Sequence, residues 1–164
     1  MCLSMILRNH KKPSTKNVYY CIGRNVNLCM YDRYVSNDNK FLASFIFRSL
    51  IHINEWQDAR NLYNYYVSDN YNKKYLPYFH VFVNKEDALK YLNIKRSDGC
   101  FSISNPRELV LMSCKVKSIT NVGLQNGVFC VVARHKKTLK YEKIEISNET
   151  NKFCIRQLKE NNHV

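Results

Sequence analysis

The chain has 164 residues, of which 45% are hydrophobic and 13% aromatic, so it can bury a core and global disorder is excluded. Lysines and arginines number 26 against 13 aspartates and glutamates, and the formal charge of +13 predicts a polyanionic partner: nucleic acid, an acidic protein surface or anionic lipid. No apolar run approaches the roughly 18 residues that span a bilayer, and the start, MCLSMILRNHKK, becomes charged too early for a secretory signal. We therefore expect a cytoplasmic protein without a membrane partner.

Seven cysteines are present, an odd number, and no two have the C-x-x-C spacing of a zinc site or a redox motif. Most lie inside apolar runs, which indicates buried thiols in a reducing compartment. The histidines are scattered, and the acidic residues are too few for a two-metal site. We predict no metal and no cofactor. Cys2 would become the amino-terminal residue if Met1 were removed, but no neighbouring base supports it as a nucleophile.

The domain organisation predicted from the sequence is simple. Residues 1–17 form a basic lead-in, residues 18–158 a single domain, and residues 159–164 a polar tail. Neither a repeat nor a linker divides the chain.

The first half of the domain alternates strand and helix patterns. Residues 18–22 predict a strand that ends at Gly23, and residues 28–35 predict a second strand. Residues 41–50 are apolar on all sides, so strand and buried helix both remain open. Apolar residues at three- and four-residue steps predict a helix over 55–66.

The central unit is an aromatic run at 78–83 that leads directly into an amphipathic helix. Asn84 is a good N-cap, and Glu86 and Asp87 place carboxylates in the first turn. The helix, predicted over 85–92, must pack its apolar face on a sheet. That face consists of Ala88, Leu89, Tyr91 and Leu92.

The last third of the chain supplies most of the predicted sheet. Strands are predicted at 109–118, 128–133 and 139–146, separated by turns at 121–127 and 135–137. The first turn contains Asn-Gly, a strong hairpin signal. Residues 153–158 predict an edge strand or a final helical turn. The expected fold is α+β: a mainly antiparallel sheet of about five to seven strands with two short helices packed on it.

Clustered basic residues are the main functional signal. Two of them alternate along one strand, several follow at the next turn, and two lysines beside a tyrosine lie in a polar loop, where the ring is suited to stacking on bases. Nucleic acid is the expected partner, RNA in preference to DNA; the alternative is a solvated basic surface without a dedicated partner. The predicted contacts are Lys73, Lys74, Tyr75, Lys115, Lys117, Arg134, Lys136, Lys137 and Lys140.

His80, within the aromatic run, is the candidate pocket residue. As a functional residue it would act as a general base or contact a substrate. The alternative is a half-buried histidine whose ring bonds a backbone carbonyl, and this interpretation is favoured. No catalytic residues are assigned.

The central unit carries a family resemblance. The run Tyr78-Phe79-His80-Val81-Phe82, followed by Glu86-Asp87-Ala88 and Tyr91, resembles small uncharacterised phage and mobile-element proteins that have a "GFH"-like strand and helix before valine-rich strands. Tyr78 stands where that group has glycine, and no activity is attached to the group. The strand–helix order is also similar to that of ADP-ribosyltransferases, but their glutamate and their first-strand His or Arg have no counterpart here.

Two functional hypotheses follow. The first is a non-enzymatic binding protein from a phage or mobile element that engages nucleic acid or a host nucleoprotein. By analogy of size and charge with anti-CRISPR proteins, its most specific form is an inhibitor of a host RNA-guided nuclease. The second is a small enzyme of ADP-ribosyltransferase-like or nucleotide-processing type with His80 near its site. A pocket at His80 would favour the enzyme, and a flat basic face with His80 buried would favour the binding protein.

Overall fold

The computed structural model describes residues 3–27, 40–44, 50–62, 78–97 and 109–155. In these ranges nine antiparallel strands and two helices occur, so the predicted α+β class is confirmed. The strands are β1 (Met5–Ile6), β2 (Tyr19–Asn27), β3 (Lys40–Ser44), β4 (Leu50–Ile51), β5 (Trp56–Asp58), β6 (Phe79–Val81), β7 (Leu109–Gln125), β8 (Val128–Ile146) and β9 (Phe153–Ile155). The helices are α1 (Ala59–Leu62) and α2 (Lys85–Ser97).

The long β7–β8 hairpin organises the sheet, because every other pairing except β2–β3 and β3–β4 is made to one of its two strands. Its turn is Asn126-Gly127, with φ of 49° and 82°. Positive φ at both central residues defines the type I′ turn that Asn-Gly favours, so the predicted hairpin is confirmed.

The predicted turn at 135–137 is wrong, and the predicted turn at 121–127 is too long. Residues 135–137 lie in the middle of β8, paired with β7 on one side and β5 on the other. Residues 121–123 lie within β7, where Gly123 pairs with Ile6 of β1. A Cβ at Gly123 would collide with the Met5 carbonyl and the Leu3 side chain, so close approach of β1, not a turn, requires this glycine.

Four strands close into a ring. β2 pairs with β7, β7 with β8, and β8 with β6. Tyr20 and Phe82 complete the ring with two backbone hydrogen bonds, 2.8 Å from the Tyr20 amide to the Phe82 carbonyl and 2.7 Å from the Phe82 amide to the Tyr20 carbonyl. Backbone groups at the junction of β2 and β6 are therefore paired, as buried polar groups must be.

Alternating side chains of these strands divide between two cores. The inner core, inside the ring, collects residues from all four strands: Tyr19, Cys21, Val81, Val110, Met112, Cys114, Val116, Val122, Val131 and Ala133. The outer core lies between the opposite face and α2, whose predicted apolar residues Ala88, Leu89, Tyr91 and Leu92 are all buried there. The predicted cap is also confirmed, since the Asp87 amide donates to Asn84 Oδ1 at 2.8 Å.

Other sequence predictions for the first half and the tail have mixed outcomes. The helix predicted from residue 55 is wrong at its start, because residues 56–58 form β5 and the helix begins at Ala59. β2 does not end at Gly23, which pairs with both β3 and β7. Of the stretch 41–50, residues 41–44 lie in strand β3 and Leu50 begins β4, while residues 45–49 lie outside the described residues. Phe153–Ile155 forms the edge strand β9. The strand predicted at 28–35 lies outside the described residues.

The lead-in packs on the domain at two places. Leu3 joins the outer core, and β1 pairs with β7. Farther along, the Lys115 ammonium donates to the Lys16 carbonyl, which attaches the segment just before β2 to the sheet.

Candidate nucleic-acid interface

Part of the β7–β8 hairpin carries lysines on its outer side, beyond the region that α2 covers. Lys115 lies directly opposite Lys137, and Lys117 opposite His135. Directly opposed residues of an antiparallel pair project from the same face, so these side chains are neighbours. Like charges that oppose each other across two strands destabilise a sheet. Lys115 and Lys137 therefore give this face an electrostatic cost that a bound anion would relieve.

Trp56 brings an aromatic ring to the same face. As the first residue of β5 it pairs with Lys137 of β8. The Lys137 ammonium lies 5.2 Å from the centroid of the indole, and the Lys117 ammonium, one strand farther, lies 4.2 Å from it. Both distances are typical of cation–π contacts. Even so, 42% of Trp56 is exposed to solvent.

Lys140 extends the basic surface along β8. It is exposed and pairs with Ser113, which precedes Lys115 by two residues and therefore shares its side of β7. A β-bulge between Ser113 and Cys114 inserts Leu139 on the β8 side and keeps Lys140 on this side. We call Trp56, Lys115, Lys117, Lys137 and Lys140 the basic–aromatic face.

An ion pair holds β5 in place. The guanidinium of Arg134 donates to both carboxylate oxygens of Asp58, at 3.0 and 2.8 Å, and His135 Nε2 lies 3.6 Å from the same carboxylate. The hydrogen bonds from Arg134 lower the pKa of Asp58 to about 2. Arg134, predicted from the sequence as a nucleic-acid contact, thus has its charge paired within the protein.

Lys136 lies on the opposite side of β8 from its neighbours in the sequence. Lys137 belongs to the basic–aromatic face, and His135 lies beside the Asp58 carboxylate. Lys136 is 4% exposed and opposes Val116 of the inner core. Its ammonium lies 3.8 Å from Cys21 Sγ and 4.6 Å from the centroid of the Phe79 ring. The predicted placement of Lys136 on the basic surface is wrong, because a strand of alternating side chains turns every second residue inward.

The thiols beside Lys136 respond to its charge and to each other. A hydrogen bond from the Cys114 thiol, assisted by the Lys136 ammonium, lowers the pKa of Cys21. The same hydrogen bond, with burial, raises the pKa of Cys114. The contact between the Lys136 ammonium and the Cys21 sulfur is buried, and we call these two residues the inner pair.

His80 is buried, with 8% of its surface exposed. Its Nδ1 lies 2.8 Å from the Tyr78 carbonyl, and burial lowers the pKa of His80 to about 4, so the ring is neutral at physiological pH. His80 is not among the residues that line the cavities described below. This is the arrangement that the sequence analysis assigned to a structural histidine.

The cavities differ in size. An enclosed one of about 200 Å³ lies between Tyr20, Tyr141 and the Lys85–Glu142 ion pair, whose atoms are 3.0 Å apart. Small-molecule sites usually have about 300–1,000 Å³. A larger and more open depression lies between the lead-in and the start of α2, beside Phe129. Across the described ranges, no three His, Cys, Asp or Glu side chains group closely enough to hold a metal ion.

Trp56 is the residue that sequence reasoning missed as part of the site. The helical spacing of Trp56, Ala59 and Leu62 placed it in a predicted helix, where it would face the core. Lys73, Lys74 and Tyr75, the predicted basic–aromatic loop, lie outside the described residues. Of the other predicted contacts, the structure brings Lys115, Lys117, Lys137 and Lys140 together and separates Arg134 and Lys136 from them.

Comparison with models of protein families gives no match. Comparisons with curated proteins and with solved structures give no significant match either. Among the described helices, none is long and apolar enough to span a membrane.

Proposed function

We propose that this chain is a non-enzymatic nucleic-acid-binding protein of phage or mobile-element origin, which acts in the host cytoplasm and contacts the phosphate backbone through the basic–aromatic face. The observation that carries the proposal is the opposition of Lys115 and Lys137 beside Trp56 and Lys117. Phosphates of a bound nucleic acid would neutralise these neighbouring cations. The counterions condensed on those phosphates would be released into solution. RNA is the preferred partner, and inhibition of a host RNA-guided nuclease is the most specific role for such binding.

Local electrostatics support this assignment beyond the net charge of +13. Asp58, two residues after Trp56 in β5, is held by Arg134, and His135 Nε2 lies 3.6 Å from its carboxylate. No ion pair joins Lys115, Lys117, Lys137 or Lys140 to an acidic residue in the described part of the chain. No carboxylate of the described residues therefore neutralises these four charges, although the Lys115 ammonium also donates to the Lys16 carbonyl.

The enzyme alternative gains no support from the site. It requires His80 beside a pocket that gathers polar groups, whereas His80 is buried against the Tyr78 carbonyl. We therefore retain binding as the proposed function.

Electrophoretic shifts over a salt series test the proposal. Four phosphate contacts predict a slope of log K against log salt of about −3 for single strands and about −4 for duplex. A variant with Lys115, Lys117, Lys137 and Lys140 changed to glutamine should lose most of this slope. The matched control removes the same charge from exposed lysines elsewhere, namely Lys11, Lys12, Lys90 and Lys152.

The control should keep the wild-type slope, because those lysines do not lie on the face. Circular dichroism and thermal unfolding verify that both variants fold. Absence of any binding by the wild type at low salt would overturn the proposal, as would equal losses in the variant and the control.

A further inference from the structure

We propose that Trp56 is a stacking platform for an unpaired base, so that the ligand class of the basic–aromatic face is single-stranded nucleic acid. This inference rests on the proposed function and narrows it. It specifies that the bound nucleic acid is single-stranded and that a base, as well as the phosphates, contacts the protein.

The first argument is the exposure of Trp56, the one tryptophan in the sequence. With 42% of its surface accessible, the indole leaves a large apolar area in water. An exposed aromatic ring within a charged surface is a usual mark of a binding site.

The second argument is rigidity. Trp56 is not on a loop: its strand pairs residue by residue with β8, through Lys137, Lys136 and His135. Two residues later the Asp58–Arg134 ion pair fixes the same strand with contacts of 2.8 and 3.0 Å. A ring held this way loses little conformational entropy when a ligand stacks on it.

The third argument is the pairing of ring and charge. Ammonium groups lie 4.2 and 5.2 Å from the ring centroid, on side chains from two adjacent strands. A nucleotide offers a flat π-system and a phosphate on one short unit, and a site with a ring flanked by cations matches both parts at once. A simple polyanion such as heparin would use the cations and leave the indole exposed.

The fourth argument concerns the duplex. Bases inside a duplex are stacked on each other and present only their edges, whereas single strands and loops can place a base flat against an aromatic ring. Stacking is sequence-tolerant because each base has a π-face. The face should therefore prefer unpaired nucleic acid with little dependence on sequence.

The test uses three probes: a single-stranded oligouridylate, its abasic counterpart of the same length, and an RNA duplex with the same total number of phosphates. Because the chain has one tryptophan, fluorescence excited at wavelengths that the 12 tyrosines do not absorb reports on Trp56 alone. We expect the oligouridylate to quench this fluorescence and to bind roughly 5- to 150-fold more tightly than the abasic strand, as about 1–3 kcal/mol per stacked base implies.

Variants separate the ring from the charge. Trp56→Ala should lower affinity for oligouridylate to that of the abasic strand while leaving the salt slope unchanged, measured by electrophoretic shift. Trp56→Phe keeps an aromatic ring and should retain part of the preference for oligouridylate over the abasic strand. This variant also keeps the test decisive if the alanine variant folds poorly.

The outcomes distinguish the two proposals. Salt-dependent binding that is equal for abasic and base-containing strands, without a fluorescence change, overturns the stacking inference and leaves the proposed function intact. Tighter binding of the duplex overturns it likewise. Absence of binding to all three probes overturns the proposed function and this inference with it.

Discussion

Lys136 and Lys137 are adjacent in β8 and carry the same charge, yet the fold gives them opposite environments. Lys137 lies on the basic–aromatic face, opposite Lys115 and against the exposed ring of Trp56. Lys136 is 4% exposed and directs its ammonium at Cys21 within the ring of strands. The alternation of a strand, and not the number of lysines, determines which charge can meet a ligand.

The comparison also separates two kinds of energetics. At the surface, water screens Lys137, and its contribution to stability is small. In the interior, an ammonium without a partner would cost several kcal/mol, and Lys136 contacts the Cys21 sulfur and the face of Phe79 there. We expect substitutions at the inner pair to change folding and substitutions at the outer face to change binding.

The largest expected effect comes from breaking the inner pair. Cys21→Ala leaves the Lys136 ammonium buried without its sulfur partner and should lower the free energy of unfolding by about 3–5 kcal/mol. Adding Lys136→Met, an apolar side chain of similar length, should restore most of that loss. Chemical denaturation of the two single variants and the double variant measures the coupling. A Cys21→Ala loss below about 1 kcal/mol, or strictly additive effects, would show that no such pair exists.

The next largest expected effect is the pH dependence of stability that His80 causes. His80 is a second buried ionisable residue, but its ring is neutral. Its folded pKa of about 4 lies below the usual 6.5. The neutral ring therefore contributes stability that is fully present above about pH 6.5 and is lost as the pH falls through about 4, up to about 3 kcal/mol. An NMR titration of the imidazole should give the low midpoint. A midpoint at or above 6.5 would contradict the buried, neutral placement.

Asp58→Asn should have the smallest effect. It removes the charge that Arg134 holds and loosens β5, which carries Trp56, at a cost of about 1 kcal/mol or less because the pair is partly exposed. With a folded pKa of about 2 against the usual 3.8, the wild-type carboxylate contributes stability above about pH 3.8 that is lost as the pH falls through about 2. The variant should lack this part of the acid dependence in thermal unfolding scans. Identical pH profiles for variant and wild type would contradict the role given to Asp58.

Local chemistry was predictable from the sequence wherever a short motif determines the backbone. The Asn84 cap and the Asn126-Gly127 turn each depend on a few consecutive residues, and both occur as predicted. The apolar face of α2 followed from helical spacing in the same way.

Long-range pairing was not predictable. The ring closes where Tyr20 meets Phe82, and nothing within either segment indicates that contact. Residues 135–137 are uniformly basic and therefore resemble an exposed turn, whereas strands on both sides of β8 hold them in the sheet. β5 has three residues, too few for strand alternation to outweigh the helical spacing around Trp56.

The candidate site was correspondingly predictable in part. Alternation along β7 placed Lys115 and Lys117 on one side, which is their arrangement in the structure. The lysines of β8 that join this side are determined by the register between β7 and β8 and by the bulge beside Ser113. Neither feature can be read from the sequence of a single strand. The involvement of Trp56 depended on β5 pairing with β8.

The most direct test of the difference between the two adjacent lysines is the salt dependence of RNA binding by Lys136→Met and Lys137→Met. The two variants remove the same charge at neighbouring positions and can be compared by fluorescence anisotropy with one labelled single-stranded RNA. Lys137→Met should reduce the salt slope by about 0.7, the loss of one phosphate contact, and Lys136→Met should leave it unchanged. Equal changes in the two variants, or a larger change for Lys136→Met, would contradict the account.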